Sequence, residues 1–418
     1  MPSHADQEAA VTADGPTAAA ELSETPPSLA LLAVLICITG LGPLAMSSFI
    51  PAIPAIQADF DVSTTVSQLT LSVSMLFMAV GSLIYGALSD RIGRRPVLLG
   101  GVTLGIIGSV ICALGPNIWL VILGRALQAA GCTVGFVLSR VVVQDVYGEW
   151  RASSLLGYIS AAMMIAPVLG PFLGGYLIEY LHWRYIFVVI AVIAALVWIG
   201  IYRVLPETRP AGVTGDPQLV PWRRFGKLLQ RRPYRRMVIY GSALQCAFMG
   251  FLSGAPYLLT RYYNLPASSY GWYFVGVPLG FFFGSLIAGR LGQVADPRTL
   301  VYWGAVGSMV SCAAALLLTA GIPIGPWGLF APAAFMSLAQ ASAYPGLQIR
   351  LLRASAPHAG SGSGCFSAIQ LLASGLVAQL VGLTLAWGPI GVTGAMTLCA
   401  SVALLIVLTR SKTQPAEA

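Results

Sequence analysis

The chain has 418 residues, of which 57% are hydrophobic and only 9% are charged, and its formal net charge is +8. A soluble protein carries about 25% charged residues, and a soluble core of this length could not remove so much apolar surface from water. A bilayer can, because its hydrocarbon layer of about 30 Å accommodates helices of about 20 apolar residues. Composition therefore predicts a polytopic membrane protein and excludes a soluble enzyme, a disulfide-rich secreted module and a nucleic-acid-binding protein.

Residues 1–28 hold five acids and no Lys or Arg, and this composition predicts a disordered, solvated tail. A secretory signal would need a basic segment ahead of its apolar stretch, so the first apolar run is expected to stay in the mature protein. Twelve apolar runs of spanning length follow, at 29–50, 66–87, 96–115, 118–141, 153–177 and 185–204, and then at 237–260, 271–290, 299–320, 325–348, 362–386 and 390–409.

These runs predict an all-α integral membrane protein of twelve transmembrane helices in two pseudo-symmetric six-helix bundles. The predicted domains are a cytoplasmic tail, two bundles separated by a cytoplasmic linker, and a second cytoplasmic tail, at 1–28, 29–204, 205–236, 237–410 and 411–418. A weak internal repeat supports the pseudo-symmetry, since GALSDRIGRRPVL at 86–98 aligns with GRLGQVADPRTLV at 289–301. Two such bundles with a site between them are the plan of secondary transporters.

The distribution of Lys and Arg predicts the orientation of the spans. With both termini in the cytoplasm, 20 of the 23 basic residues lie on the cytoplasmic side, Arg184 and Arg261 lie outside, and Arg125 lies within a span. The basic residues are therefore topological anchors that also attract anionic membrane lipid. The segment Trp222–Arg236 in the linker is either a helix on the membrane surface or a solvated basic segment.

The turn after the second predicted span reads GALSDRIGRRP at 86–96, which resembles the cytoplasmic loop signature of the major facilitator superfamily. One carboxylate among three guanidinium groups can form an ion-pair network that breaks as the two halves move. Asp90 is also expected to meet the N-terminus of the eleventh span, where Gly360–Gly364 expose backbone N–H groups and a positive dipole end. A gating role is predicted for Asp90, Arg91, Arg94, Arg95 and Asp145.

Two further segments resemble family signatures. RALQAAG at 125–131 places Arg125 inside the fourth predicted span, where a charged residue is costly and marks a functional candidate; a structural arginine held by Gln128 and helix carbonyls is the alternative. The fifth predicted span resembles the signature of the exporter branch, with Ala166 where the full pattern has glycine. Small residues allow close helix contact and proline frees a carbonyl, so we expect packing roles for Gly157, Gly170, Pro171, Gly174 and Gly175.

Residues 43–54, 144–147, 183–187 and 253–257 all resemble the Bcr/CflA drug-resistance transporters. The resemblance implies a multi-pass protein of the cytoplasmic (inner) membrane that exports a small amphiphilic compound, such as a drug, a siderophore or another metabolite, usually in exchange for protons. We expect a small-molecule substrate, protons and membrane lipid as partners, a monomer, and no enzymatic activity. No metal site or cofactor is predicted, since the seven cysteines show no metal-ligand spacing.

One departure from that family concerns proton exchange. Where the family commonly has an Asp near the outer end of the first span, this chain has Ser47 and Ser48, and no Asp, Glu or His falls in the middle of a predicted span. Coupling needs a group that gains and loses a proton, and the remaining candidates are Glu179 and Asp145, whose alternative role is interfacial anchoring. The alternative function is a facilitator or importer of a small metabolite, anions included, without the usual coupling.

Arg125 without an acidic partner leads to the hypothesis that part of the substrate is anionic or rich in acceptor oxygens. The rest of the cavity is predicted to be polar but uncharged. Helix positions place in it Ser47, Gln68, Tyr240, Gln245, Tyr257, Gln340, Tyr344 and Gln370. Helix packing or hydrogen bonding between helices is the alternative role of each. A membrane enzyme would need acids or histidines within the spans, whereas a receptor or scaffold stays open because fold alone does not fix function.

Overall fold

A computed structural model describes residues 29–163, 165–209, 222–291, 295–321, 324–356 and 359–409. The predicted tails 1–28 and 411–418 and the middle of the predicted linker lie outside these residues. The described part of the chain is built from helices joined by short turns and contains no β-strand. We describe its two halves in turn.

The first half holds seven helices, and a single 3₁₀ turn joins the first two. In chain order the helices are α1 (Leu29–Phe49), α2 (Ile53–Asp59), α3 (Thr64–Ile92), α4 (Arg94–Leu114), α5 (Ile118–Met163), α6 (Ile165–Tyr180) and α7 (Arg184–Val204). Ser63 caps α3, because its hydroxyl accepts a hydrogen bond from the Val66 N–H at 3.3 Å. Gly93 then separates α3 from α4 with a φ of 104°, a backbone conformation that favours glycine.

The second half begins with a short helix of the predicted linker and continues with seven more. These are α8 (Trp222–Gln230), α9 (Arg232–Tyr257), α10 (Ser269–Phe274), α11 (Gly276–Leu291), α12 (Pro297–Gly321), α13 (Trp327–Ser355), α14 (Ala359–Thr384) and α15 (Gly388–Leu408). A π-helical turn, Leu258–Tyr262, extends α9. The predicted linker segment is therefore helical at Trp222–Gln230, and its Leu228 is buried in the same apolar cluster as Tyr234 of α9.

Nine helical segments of the described chain are long and apolar enough to cross a membrane, and the last of them, Ser361–Leu408, contains both α14 and α15. Two helices that match predicted spans are not among the nine. α6 has only 16 residues, and prolines and polar residues such as Gln340 lower the apolar content of α13. Many helices expose large apolar side chains, for example Leu398 at 68% and Phe335 at 66%, which suits lipid rather than water.

Helix α5 differs from the sequence prediction, which placed a break between 141 and 153. The structure is helical through Ile118–Met163. The predicted spans are delimited by Pro, Gly and Arg clusters, and here these residues are Arg140, Gly148 and Arg151. Arg is a good helix former, so this polar stretch marks a membrane boundary while its backbone remains helical.

The chain nevertheless reverses direction between Ser139 and α6, as two separate spans require. In α5, Ser139 hydrogen-bonds Thr39 of α1 at 2.6 Å, whereas the earlier Cys132 lies beside the later Gly42, so the start of α5 runs antiparallel to α1. α6 runs parallel to α1, because its Gly170 and Gly174 lie beside Ser47 and Pro51 respectively.

The helices of each half pack mainly on one another, and the two halves meet chiefly through α3 with α14 and through α6 with α10. We call the end of the molecule with Gly93, Glu207 and α8 the linker end. The opposite end, with Phe60, Trp183 and Tyr262, is the far end. α4 and α5 approach closely, since a methyl group added at Gly131 would lie 2.7 Å from the Gly105 Cα, and this contact holds the segment of α5 that carries Arg125.

Candidate functional site

A cavity of about 330 Å³ lies between the two halves. Its first-half wall comes from α1 and α6, including Met46 and Pro171, and its second-half wall comes from α9, α10, α11 and α13. The wall is mostly apolar, with Phe248, Tyr270 and Phe274 among its aromatic side chains. Size, apolar lining and position between two bundles are all typical of a small-molecule site.

Three of the polar residues predicted for the cavity line it, namely Ser47, Gln245 and Gln340. The Ser47 hydroxyl donates to the carbonyl oxygens of Pro43 at 2.8 Å and Ala166 at 3.1 Å, so α6 fixes its position. Gln340 Nε2 donates to the Leu244 carbonyl at 3.1 Å, which leaves its oxygen as an acceptor. The cavity therefore presents a few uncharged polar groups in an apolar wall.

Three other predicted residues lie elsewhere in the second half. The buried Tyr240 hydroxyl donates to the Val301 carbonyl at 3.0 Å, and Gln370 Nε2 donates to the Gly241 carbonyl at 3.3 Å. Tyr344 is half-exposed, and its hydroxyl accepts a hydrogen bond from a side chain of its own helix. These residues face neighbouring helices or the outside of the cavity, which helix position alone did not distinguish from the cavity face.

Gln68 and Tyr257, also predicted for the cavity, bridge the two halves instead. The Tyr257 hydroxyl lies 2.7 Å from Ser67 Oγ. Gln68 Nε2 donates to the Ser253 carbonyl at 3.1 Å, while its buried Oε1 has no hydrogen-bond partner among the residues that the structure describes. Both contacts lie in the far half of the spans, beyond the cavity.

Gln379 and Glu179 add further bridges of the same kind. Gln379 Nε2 donates to the Thr65 carbonyl at 2.8 Å, and its Oε1 accepts from the Ser72 hydroxyl at 3.1 Å. Glu179 accepts from the Ser268 N–H at 3.3 Å. Among the described residues, these and the two preceding bonds are five hydrogen bonds between the halves, and all five lie toward the far end. We call this set the far gate.

The glycines of α6 allow close contact with α1 on one side and with the second half on the other. A methyl group at Gly170 or Gly174 would collide with Ser47 or Ser48 of α1, and one at Gly175 would lie 2.7 Å from the Ala267 carbonyl of the other half. Pro171 lines the cavity. Gly157 lies in α5, at a position whose surroundings are outside the described side chains. α6 is thus packed tightly on both halves at the far end.

Arg125 is almost fully buried in α5, with 1% of its surface exposed. Its Nη1 donates to Gln128 Oε1 at 2.6 Å, and its Nη2 lies 3.4 Å from the Met46 sulfur. Its Cζ lies 3.9 Å from the centre of the Phe49 ring, a cation–π contact. Nε has no hydrogen-bond partner among the described residues.

Arg125 does not line the large cavity. It lines a second cavity of about 10 Å³, whose wall also includes Gly42 and Met46. Met46 lines both cavities, so the side chain that contacts the guanidinium also borders the larger space.

At the linker end, Arg94 is the centre of an ion-pair cluster. Its guanidinium pairs with Asp90 on the preceding turn and with Asp145 of α5, the latter at 3.1 Å. It also donates to Ser89 Oγ at 2.6 Å. Arg94 is only 6% exposed, so these acceptors compensate a buried charge. The structure pairs Asp90 with Arg94, whereas the sequence also suggested the N-terminus of the eleventh span as its partner.

Glu207 completes this cluster from a position 113 residues later in the chain. Its carboxylate accepts the N–H groups of Arg94 at 2.8 Å and Arg95 at 3.3 Å, and therefore caps the N-terminus of α4. A side chain at Gly93 would collide with this carboxylate. Partial burial disfavours the charged form, but hydrogen bonds from the N–H groups of Arg209, Arg94, Arg95 and Thr208 outweigh it and lower the pKa of Glu207 below its ordinary value.

Two more arginines hold the same turn. Arg95 Nη2 donates to the Tyr202 carbonyl at 2.6 Å, and Arg209 donates to the carbonyl oxygens of Asp90 and Arg91. Glu207 and Arg209 were not predicted as site residues, although both lie in the predicted linker 205–236. The signal was weak because a cap by a residue so distant in sequence leaves no local pattern.

Among the residues that the structure describes, no group of three or more His, Cys, Asp or Glu side chains is arranged to hold a metal ion. A family model described as Major Facilitator Superfamily matches residues 35–262. The uncharacterized MFS-type transporter YdgK of Bacillus subtilis (strain 168) is 28% identical over 359 residues, which cover 85% of this chain and 89% of the relative.

Multidrug resistance protein D of Escherichia coli (strain K12) is 28% identical over 386 residues, covering 90% of this chain and 94% of the relative. Among solved structures, a POT family transporter in complex with 5-aminolevulinic acid superposes with a TM-score of 0.74 at 13% identity, covering 90% of this chain and 94% of that one. The structural likeness concerns the fold alone, and it confirms the predicted all-α architecture.

Proposed function

Because the chain belongs to the Major Facilitator Superfamily, a family of membrane transporters, we propose that it exports small amphiphilic compounds across the cytoplasmic membrane by alternating access. The observation that carries this proposal is the cavity of about 330 Å³ between the two halves, with the far gate lying beyond it toward the far end. The name of its Escherichia coli relative, Multidrug resistance protein D, supports drug-like substrates. The resemblance to the Bcr/CflA transporters supports the same choice.

The linker end is proposed to face the cytoplasm. Arg94, Arg95, Arg209 and the basic helix α8 all lie there, and cytoplasmic segments are rich in Lys and Arg. With the far gate formed, the structure then corresponds to a state closed toward the outside, in which a substrate would enter the cavity from the cytoplasm. Export requires the far gate to open.

The far gate is suited to opening because each of its bonds is weak. Hydrogen bonds between membrane helices average about 0.6 kcal/mol in double-mutant cycles, so five of them contribute only about 3 kcal/mol. A ligand that prefers the open state by a similar amount can shift the equilibrium. We propose that the bundles 29–204 and 237–410 rock as units around the cavity, with substrate binding supplying this difference.

The cluster around Arg94 is proposed to be the cytoplasmic latch. In the present state the Asp90 carboxylate is held by Arg94 within the first half. When the linker end closes, the N-terminus of α14 would approach the first half, and its N–H groups would offer Asp90 a partner on the second half. Arg94 would keep Asp145 as its counter-ion in both states.

Proton exchange is the proposed energy source, and Glu179 is the better placed of the two acids. It is the acid whose carboxylate contributes a bond of the far gate, to the Ser268 N–H. Protonation would weaken this charge-assisted bond and thereby favour opening. Asp145 is held by Arg94, and losing its charge would leave that buried guanidinium with one counter-ion fewer.

The test is transport by the purified protein in proteoliposomes, using a panel of cationic, neutral and anionic amphiphiles with and without an imposed pH gradient. The proposal expects accumulation of at least one compound that rises with an opposing proton gradient. Transport that ignores the gradient would remove proton exchange and favour the alternative, a facilitator or importer. The feature that favours this alternative is the buried Arg125, which pairs with no acid in the part of the chain that the structure describes.

A further inference from the structure

We infer that the substrates of this cavity are anionic amphiphiles, and that their carboxylate or similar planar acid group displaces the Met46 thioether to bind Arg125. The inference rests on the proposed function, since it names the substrate class of the same cavity. It assigns Met46 as the removable cover of a charged subsite and the large cavity as the site of the apolar body.

Arg125 carries a positive charge that no described acid balances. The described ion pairs join Arg94 to two acids and Asp59 to His182 and Arg184, and Arg125 takes part in none of them. Its contacts are a neutral amide, a thioether and an aromatic ring. Removing a guanidinium from water costs several kcal/mol, and neutral partners offset only part of this cost. An anion would offset most of it.

The arrangement of the N–H donors of Arg125 indicates which acid group can bind. A guanidinium presents two N–H groups on one edge, from Nε and Nη2, in the parallel arrangement that a carboxylate accepts. In Arg125 the Nη1 group is already used by Gln128 at 2.6 Å. On the remaining edge, within the described part of the chain, Nε has no hydrogen-bond partner and Nη2 meets only the Met46 sulfur at 3.4 Å, a weak acceptor. The open edge therefore matches one carboxylate.

Access of a ligand to Arg125 depends on Met46. The small cavity beside Arg125, of about 10 Å³, has room for about one water molecule and for no anion of this size. Met46 lines both this space and the large cavity. Methionine is unbranched and adapts its shape easily, so a change of its rotamer would join the two spaces. An acid group entering from the large cavity would then take the place of the sulfur.

The lining of the large cavity indicates the chemistry of the rest of the ligand. The large cavity adjoining Met46 is lined by apolar groups such as Ile50, Phe248 and Phe274. An aromatic or aliphatic body fits this wall, and the uncharged Gln245 and Gln340 offer hydrogen bonds to its polar substituents. The combination selects an amphiphile with one acid group at the end of an apolar body, rather than a small inorganic anion.

The test uses two probes of nearly equal shape, naphthalene-2-carboxylate and naphthalene-2-carboxamide. Calorimetric titration of the full-length protein in lipid nanodiscs gives both dissociation constants. We expect the carboxylate to bind about tenfold tighter or better, a difference of about 1.4 kcal/mol or more. Equal affinities, tighter binding of the amide, or no binding of either probe would overturn the inference. The transport assay in proteoliposomes would still test the proposed function by itself. Failure of this inference can therefore be told apart from failure of the proposed function.

Two variants locate the effect. Arg125→Gln is expected to lower carboxylate affinity to that of the amide, while amide binding stays unchanged. Met46→Ala removes both the sulfur acceptor and the side chain that covers Arg125, so it is expected to tighten carboxylate binding several-fold. The control is Met396→Ala, a buried methionine of α15, which should change neither constant. If Arg125→Gln fails to fold, the variants of Met46 and Met396 test the inference by themselves. Equal effects of these two variants on carboxylate affinity would contradict it.

Discussion

Ser67 of α3 and Tyr257 of α9 face each other across the two halves with their hydroxyl oxygens 2.7 Å apart. Both residues are buried. The pair belongs to the far gate, and its geometry makes the gate a set of uncharged contacts with one carboxylate, Glu179, at its edge. Weak, mostly neutral contacts suit the proposed opening and closing of the far gate.

The Tyr257→Phe variant tests the role of this pair. It removes one bond of the far gate with little change in shape, so we expect the equilibrium to shift several-fold toward the state open at the far end. The measurement is the distribution of distances between spin labels on the far ends of the two halves. Tyr240→Phe is the matched control, because the Tyr240 hydroxyl bonds Val301 within its own half. An equal shift in both variants would contradict the assignment.

The Gly174→Ala variant tests the contact of α6 with α1. A methyl group there would collide with the Ser48 carbonyl and lie 2.9 Å from the Pro51 ring. Overpacking of this kind costs about 1–3 kcal/mol, so we expect a lower melting temperature in detergent and reduced transport. Gly40→Ala in α1 is the control, since no atom of the described residues lies within 4 Å of its added methyl. Loss of stability in the control but not in Gly174→Ala would refute this packing.

The pH dependence of stability tests the Glu207 cap. Because hydrogen bonding lowers the pKa of Glu207 in the folded state, its stabilisation is present above the unfolded pKa and is lost as pH falls through the folded pKa. At pH 7 we therefore expect Glu207→Gln to melt at a lower temperature than the wild type. The difference should shrink below about pH 4.3, the ordinary value for Glu.

Asp61→Asn is the control for this experiment. Asp61 has a φ of 48°, a conformation that Asn adopts readily, so the exchange should leave the melting temperature unchanged at both pH values. A pH-independent difference between wild type and Glu207→Gln would show that the side chain acts by packing rather than as a charged cap.

Neutral variants of the two acids proposed for coupling separate their roles. Glu179→Gln should retain transport down a substrate gradient but lose its response to the pH gradient, because the far gate would no longer sense protonation. Asp145→Asn should instead lower both stability and transport, because Arg94 would lose one of its two counter-ions. Both quantities come from proteoliposome flux and thermal unfolding. A pH response that survives in Glu179→Gln would assign coupling to another group.

The fold was largely predictable because long apolar runs separated by basic turns indicate membrane helices. Apolar length located the spans, and the motif at 86–96 located the cluster around Arg94. The connection between the fourth and fifth predicted spans was expected to be non-helical, whereas it is helical. The two spans themselves were predicted, since the chain reverses direction between Ser139 and α6.

The site was less predictable because its polar residues serve three different contacts. Ser47 and Gln340 line the cavity, Gln68 bridges the halves, and Tyr240 packs within one half. All are polar residues in apolar helices, and only the tertiary arrangement separates them. Glu207 was missed for a related reason, since its partners lie 113 residues away.

The central claim is that the halves alternate around the cavity, and a removable cross-link across the far gate tests it most directly. A Cβ at Gly375 would lie 3.2 Å from the Met75 Cβ, close to the separation of about 3.5–4.5 Å found in disulfides. In a background with the seven native cysteines replaced, we combine Met75→Cys with Gly375→Cys and measure proteoliposome transport. The account predicts that oxidation abolishes transport, that reduction restores it, and that neither single variant responds. Undiminished transport by the fully cross-linked protein would contradict it.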